Sequence, residues 1–265
     1  MQGTGFGPLL KQWRQAKGLS QLSLAVGCGV SQRHISFLET GRAMPSREII
    51  VRIGTELNIP LRHRNELFLA AGFAPLYSET NWEAPDLAPI RRAVELILAR
   101  QEPYPAIVLD GLWNIQLANA GATALFKVLS ANGRPVDNIM KAVFDSRDLR
   151  SAIENWESLA AHLRVRLRQH AELHGTSEDF EALVDEVNKL DPSNSGSSSV
   201  TLTDPLLWIS VRRNKFRARL FSTITTLGTA YDVGLQELSI ECFFPADDAS
   251  ARELEALTLD RVANR

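Results

Sequence analysis

Two cysteines in 265 residues, Cys28 and Cys242, give no disulfide framework. They fall in separate halves of the chain, where two reduced, buried thiols are the ordinary expectation for a cytoplasmic protein. No uninterrupted apolar run approaches the roughly 18 residues of a membrane span. No signal-peptide pattern opens the chain, so the expected location is the cytoplasm, with no membrane partner. G-x-S-x-G, a phosphate-binding loop and C-x-x-C are all missing, which removes the commonest enzyme readings. The glycine-rich stretch Gly3–Gly7 follows no strand, so it carries no nucleotide signature. His170 and His174 stand four apart, a spacing that puts both on one helix face, but no third ligand follows at a telling distance. Neither a metal, a cofactor nor catalysis is expected.

What is present concentrates between Leu19 and Gly41, LSQLSLAVGCGVSQRHISFLETG. This stretch reads as two short helices joined by a tight turn, the arrangement that sets a helix in the DNA major groove. Ser20 and Ser31 are placed to cap the two helices. Leu22, Leu24 and Ala25 supply apolar contacts to the first, and Ile35 and Leu38 face inward from the second. Gly29 sits where the turn calls for a positive φ, and Gly41 ends the second helix. Counted from Gln21, the small or apolar Ala25, Gly29 and Ile35 fall at positions 5, 9 and 15, the spacing of helix-turn-helix units. Gln32, Arg33 and Ser36 are left pointing outward. A Gln amide pairs bidentately with adenine, and an Arg guanidinium with guanine.

Charge divides the chain the same way. Residues 1–75 hold nine Lys+Arg against four Asp+Glu, a net of +5, and the rest hold 20 against 27, a net of −7. A basic head favours phosphate contacts, while an acidic body argues against nonspecific coating of DNA.

The segment from about Leu9 to Gly72 resembles a lambda-repressor-type (XRE family) domain of five helices, with Leu9–Lys17, Gln21–Val26, Gln32–Thr40, Ser46–Leu57 and Leu61–Ala71 as the helices. The resemblance implies that Gln21 contacts a phosphate while bracing Gln32. It also implies that Gln32 and Arg33 read base edges, with Ser31 and Ser36 on the same face and Arg42 beside a passing phosphate.

Beyond a Pro-containing linker at Gly72–Pro89, a helix follows with Ile90, Val94 and Ile97 on one face. Two strands, Ala106–Leu109 and Asn114–Leu117, flank an Asp110-Gly111 turn and lead through Ala118-Asn119 into a helix ending at Leu129. This is how a PAS-like sensor opens. Residues 135–190 read as mainly helical, with Ile153, Trp156, Ala160, Leu163 and Leu167 at helical spacing and Thr176 with Asp179 as a capping box. A Ser-rich loop covers 193–199, and strands return around Leu207–Val211, Phe216–Leu220 and Leu238–Phe244.

This half resembles the MmyB-like ligand-binding domain found behind XRE-type heads. The likeness is carried by Glu102–Ala106, Trp113-Asn114, Ala118-Asn119, Phe221–Thr229, Glu237–Glu241 and Phe244–Asp247. It implies an α+β PAS-like fold enclosing an apolar pocket for a fatty-acid-like ligand. Trp113, Trp156, Trp208, Phe221 and Phe244 are the bulky candidate lining residues, and Arg164, Arg166, Arg168, Arg217 and Arg219 the candidate cations for a carboxylate.

The expected layout is therefore an all-α DNA-binding domain at 1–73, a linker and connecting helix at 74–102, and a PAS-like domain at 103–265. The expected whole is a transcription regulator binding operator DNA, most simply as a homodimer. Two other readings of the second half stay open: a ligand-free dimerisation module, and a haem or flavin sensor.

Overall fold

The computed structural model describes residues 5–131, 133–174, 177–192, 206–228 and 231–263, of which 173–174 and 260–263 by their backbone. The Ser-rich loop and Thr176 lie outside these residues. The chain divides into two units: 1–80 with 173–175 and 229–236, and the remainder.

The first unit is built on five helices: α1 (Phe6–Ala16), α2 (Gln21–Gly27), α3 (Gln32–Glu39), α4 (Arg47–Glu56) and α5 (Leu61–Ala70). Local chemistry sets their ends. The hydroxyls of Ser20, Ser31 and Ser46 accept from the backbone N–H of Ser23, His34 and Ile49, each satisfying an otherwise orphan helix donor. Gly29 turns the chain between α2 and α3 at φ +66°. One core, with Leu10, Leu24, Ile35, Ile50 and Phe68 fully buried, joins all five. Leu22, expected inside, is 55% exposed, because α2 presents Leu24 and Ala25 to the core instead.

Gly7 explains part of the glycine-rich start. A Cβ on it would lie 2.5 Å from the Glu39 carbonyl oxygen and 2.8 Å from that of Leu38, so α1 meets the end of α3 backbone to backbone. Gly7→Ala is expected to force the helices apart at a cost of about 1–3 kcal/mol. The check is hydrogen exchange of the α3 amides, which should accelerate; unchanged exchange would contradict this packing.

Residues 231–236, far along the chain, also belong to this unit. The Asp232 carboxylate accepts from Ser78 Oγ at 2.9 Å and from Thr80 N and Oγ1 at 3.0 and 2.7 Å. Leu61 N, at the start of α5, donates to Gln236 Oε1 at 2.7 Å.

The second unit is a five-stranded antiparallel sheet in the order β2-β1-β5-β4-β3. Its strands are β1 (Ala106–Leu109), β2 (Ile115–Ala118), β3 (Trp208–Arg213), β4 (Phe216–Thr226) and β5 (Ser239–Pro245). Helices α7 (Ala120–Leu129), α8 (Ile139–Phe144), α9 (Trp156–His174) and α10 (Glu178–Leu190) intervene between β2 and β3, and α12 (Asp248–Ala263) follows β5. The short α11 (Val233–Glu237) lies between β4 and β5. This is the α+β PAS-like arrangement. The side chain that caps α10 is Ser177, accepting from Phe180 N at 3.1 Å.

Asn119 ties the opening of this unit together. Its Oδ1 accepts from Ala106 N and Ala122 N, and its Nδ2 donates to the carbonyl of Tyr104. The motif residues Glu102 and Asn119 are thus explained by structure: the Glu102 carboxylate accepts from the first N–H groups of α7.

For the helix α6 (Ala88–Gln101) the sequence leaves two readings, an extension of the linker or a part of the second core; its Val94 and Leu98 pack with Ala106, Val108, Ile240 and Cys242 on one face of the sheet. The other face, with Ile107, Leu109, Leu220 and Phe243, packs against α7–α10. The sheet is therefore covered on both sides, and β1 is buried at every position.

Candidate functional site

The amino end of α3 is set by Ser31, whose side chain is spent on the cap. Gln32 and Arg33 follow, both exposed, and Ser36 lies one turn further, half-buried. Arg33 rests its guanidinium 5.0 Å from the ring centre of Phe37, which holds the cation at the helix surface. Arg42 is exposed just past the helix end. Gln32, Arg33 and Ser36 lie on the side of α3 away from Ile35 and Leu38, which are buried.

Beneath them is a lock that the sequence did not reveal. Glu39, in the last turn of α3, accepts from Arg14 Nε at 2.6 Å and Nη2 at 3.0 Å, and from Gln21 Nε2 at 2.8 Å. Arg14 Nη1 also donates to the Leu19 carbonyl at 2.8 Å. The expected brace from Gln21 to Gln32 is replaced by this bond, since the paired Glu39 carboxylate still offers an acceptor to an amide donor. Burial works to raise the Glu39 carboxyl, but hydrogen bonds from Arg14 and Gln21 outweigh it and hold the group below the usual carboxylate range.

In the second unit, a partly open cavity of about 80 Å³ lies between the sheet and α7–α9. Trp113, Leu125, Val143, Leu163, Leu220 and Phe243 are typical of its walls, which are almost wholly apolar. Among the described lining residues the charged side chains are Arg166 of α9 and Glu241 of β5. Arg166 Nη1 donates to Glu241 Oε2 at 3.3 Å and Oε1 at 3.5 Å. Ser222 Oγ donates to Glu241 Oε1 at 2.8 Å. One turn away on α9, burial pushes the His162 imidazole down, and the Arg166 charge adds to the effect against Glu241, so His162 is neutral near pH 7.

The five aromatic candidates separate sharply. Trp113 lines the cavity, held in a left-handed conformation at φ 59° with its ring 4.7 Å from that of His170. Trp208, Phe221 and Phe244 form a ring ladder, 5.8 and 5.4 Å between centroids, on the opposite sheet face. Their strand neighbours Ile209, Leu220 and Phe243 face the cavity, as alternation requires. Trp156 packs against Phe144 and Arg150 instead of lining the cavity. Of the five arginines, Arg166 reaches the cavity; Arg164 pairs with Asp191 and Arg217 with Glu154. Arg219 lies over Trp208, and Arg168 is exposed.

Other chemistry is sparse among the described residues. No group of three or more His, Cys, Asp or Glu is arranged to hold a metal, and no helix is long and apolar enough to cross a membrane. Burial, helped by Glu56, pushes the Cys28 thiol up to about 11, so it is no thiolate at neutral pH. Burial also raises Cys242.

A capped helix-turn-helix in one unit and a nearly all-apolar cavity in the other define a class: a DNA-binding regulator carrying its own ligand-binding domain. The chain belongs to the MmyB-like transcription regulators, the family described as "MmyB-like transcription regulator ligand binding domain" matching residues 90–257. A helix-turn-helix family matches residues 10–63. The "ImmF control region 10 kDa protein" of Bacillus phage phi105 is 34% identical over 61 residues, 23% of this chain and 68% of that protein. Both family descriptions are those of a regulator and its DNA-binding head, not of an enzyme.

Proposed function

We propose that this protein is a one-component regulator that binds operator DNA as a homodimer and senses a small, fatty-acid-like molecule in the α7–α9 cavity. The observation that carries the reading is the nearly all-apolar cavity with a single charged pair among its described lining residues, in a chain that also presents Gln32 and Arg33 on an open helix face. In this reading Gln32, Arg33 and Ser36 approach base edges while Gln21, Ser31 and Arg42 lie near phosphates. Two heads on adjacent turns of DNA multiply specificity. Work on DNA places the protein in the cytoplasm.

The free volume of about 80 Å³ is far below the roughly 300–1,000 Å³ of ordinary ligand pockets. In this reading a larger ligand is accommodated by movement of α7–α9 against the sheet. Such movement is what a sensor needs, since a ligand with equal affinity for both states shifts nothing. The junction 72–92 is the route for the coupling, as the stretch of chain along which the first unit gives way to the second.

Two tests separate the halves. Extraction of the purified full chain, with native mass spectrometry, is expected to find one aliphatic ligand per chain; a protein free of lipid that binds none from a panel would leave a dimerisation module. A haem or flavin would show as colour. For the DNA half, Arg33→Ala should cost about 1–3 kcal/mol and relax preference at one base position. Arg42→Ala should weaken all sequences alike, lowering the salt dependence by about one ion. Equal losses on selected and random duplexes for Arg33→Ala would remove it as a base reader.

A further inference from the structure

The apolar cavity has a larger neighbour. Between α9 and α10 runs a groove of about 370 Å³, floored by Leu167, Ala171, Phe180 and Val184 and rimmed by the exposed Arg168, Glu181 and Asp185. Cavity and groove are adjacent along α9: Leu163 lines the first, and Leu167, one turn on, lines the second. They meet at three rings. Trp113, in the cavity wall, lies 4.7 Å from His170 and 6.3 Å from Phe180 between ring centres, and His170 stacks on Phe180 at 5.1 Å. Phe180 in turn belongs to the groove.

Trp113 is held at φ 59°, a conformation that few bulky residues adopt. Its N–H donates to the Asp110 carbonyl at 3.1 Å, and its own carbonyl accepts from Ile139 N at 3.1 Å. The Asp110 carboxylate fastens the same turn, accepting from Leu112 N, Asn114 N and Gln116 Nε2. Backbone strain fixed in this way by its surroundings collects at ligand clamps and switch regions.

We infer that the α9–α10 groove is the entrance to the cavity and the seat of the ligand's head group, with Trp113, His170 and Phe180 as the gate past which the aliphatic chain runs. The inference rests on the sensor reading above and gives its ligand a place and a direction. A carboxylate inside the cavity would lose its hydration against apolar walls, where Arg166 and Glu241 are bonded to each other and to Ser222. At the groove rim the carboxylate stays in water, and the chain beyond it covers the apolar floor. The rim charges, of both signs, are exposed and therefore screened, so a hydrated head is tolerated there without a dedicated partner. Joined, the two spaces fall within the roughly 300–1,000 Å³ of ordinary ligand pockets, which the cavity alone does not reach.

The test uses two long-chain saturated carboxylates, one with a diazirine beside the carboxylate and one with it at the methyl end. Each is bound to the delipidated full chain, irradiated, and mapped by peptide mass spectrometry. The head-end probe is expected to label 167–171 and 180–185. The tail-end probe should label the cavity around Leu125, Leu220 and Phe243, and excess unlabelled carboxylate should remove both signals. Any other pattern in which the cavity is labelled would overturn the inference and leave the sensor reading intact. No competable label in the cavity would bring down both. Trp113→Ala should speed association of the unmodified carboxylate by about tenfold or more, because binding no longer waits on a conformational change. An unchanged rate would remove the gate; should that variant fail to fold, labelling of the wild-type chain decides.

Discussion

Glu39→Ala is expected to destabilise the N-terminal unit by about 3–5 kcal/mol, because it strands a buried cation. The Arg14 and Glu39 side chains are 11% and 3% exposed, and three donors converge on the one carboxylate. Removing it leaves the Arg14 guanidinium and the Gln21 amide without their acceptor inside a core made of α1, α2 and α3. A small unit with about 5–15 kcal/mol of total stability has little margin for such a loss. DNA binding should fail with the fold, and hydrogen exchange in α1–α3 should approach that of the open chain. Glu39→Gln keeps an acceptor and should cost less. Acid should act on the same lock. With its folded value held low, Glu39 adds stability above its ordinary range, about 4.3, and that contribution is lost as pH falls through the lowered value. A variant at Glu39 should lose the corresponding acid sensitivity. Exchange rates within a few-fold of wild type in Glu39→Ala would show that the lock does not hold the reading helix.

The second large effect is asymmetric. Arg166→Leu should destabilise the C-terminal unit by about 2–4 kcal/mol, since it leaves the Glu241 carboxylate in an apolar wall with Ser222 as its remaining partner. Glu241→Leu should cost less, about 1–2 kcal/mol, because the long Arg166 stem lets its charge reach water. The double variant should return to within about 1 kcal/mol of wild type, as apolar replacement of a buried pair often does. Denaturation of the four proteins, followed by hydrogen exchange in α9 and β5, reads the cycle directly. A double variant as unstable as Arg166→Leu would mean the pair is kept for the fold.

The two halves were legible in the sequence to different depths, for physical reasons. The helix-turn-helix is specified by local chemistry: caps at Ser20, Ser31 and Ser46 and a left-handed turn at Gly29, each fixed within a few residues. The Arg14–Glu39 lock joins positions 25 apart, and nothing local marks either residue as buried. In the sheet the alternation itself was readable, but which parity faces the cavity was not. With α6 on one face and α7–α9 on the other, both parities of β1 and β5 are apolar. The bulkiest residues, Trp208, Phe221 and Phe244, were natural choices and belong to the other face. The useful signal was an exception to the pattern: Glu241, a charge set within the run Ile240–Phe244, marks the polar point of an otherwise apolar wall.

The central claim is that occupancy of the cavity changes the grip of the reading helices on DNA. The most direct measurement is the affinity of the delipidated full chain for a duplex selected from random sequence, titrated with and without a saturating cavity ligand. The account predicts a shift of about 5–150-fold in either direction, the usual range of coupling between linked sites. Superimposable titrations, with the ligand shown bound at one per chain, would contradict it.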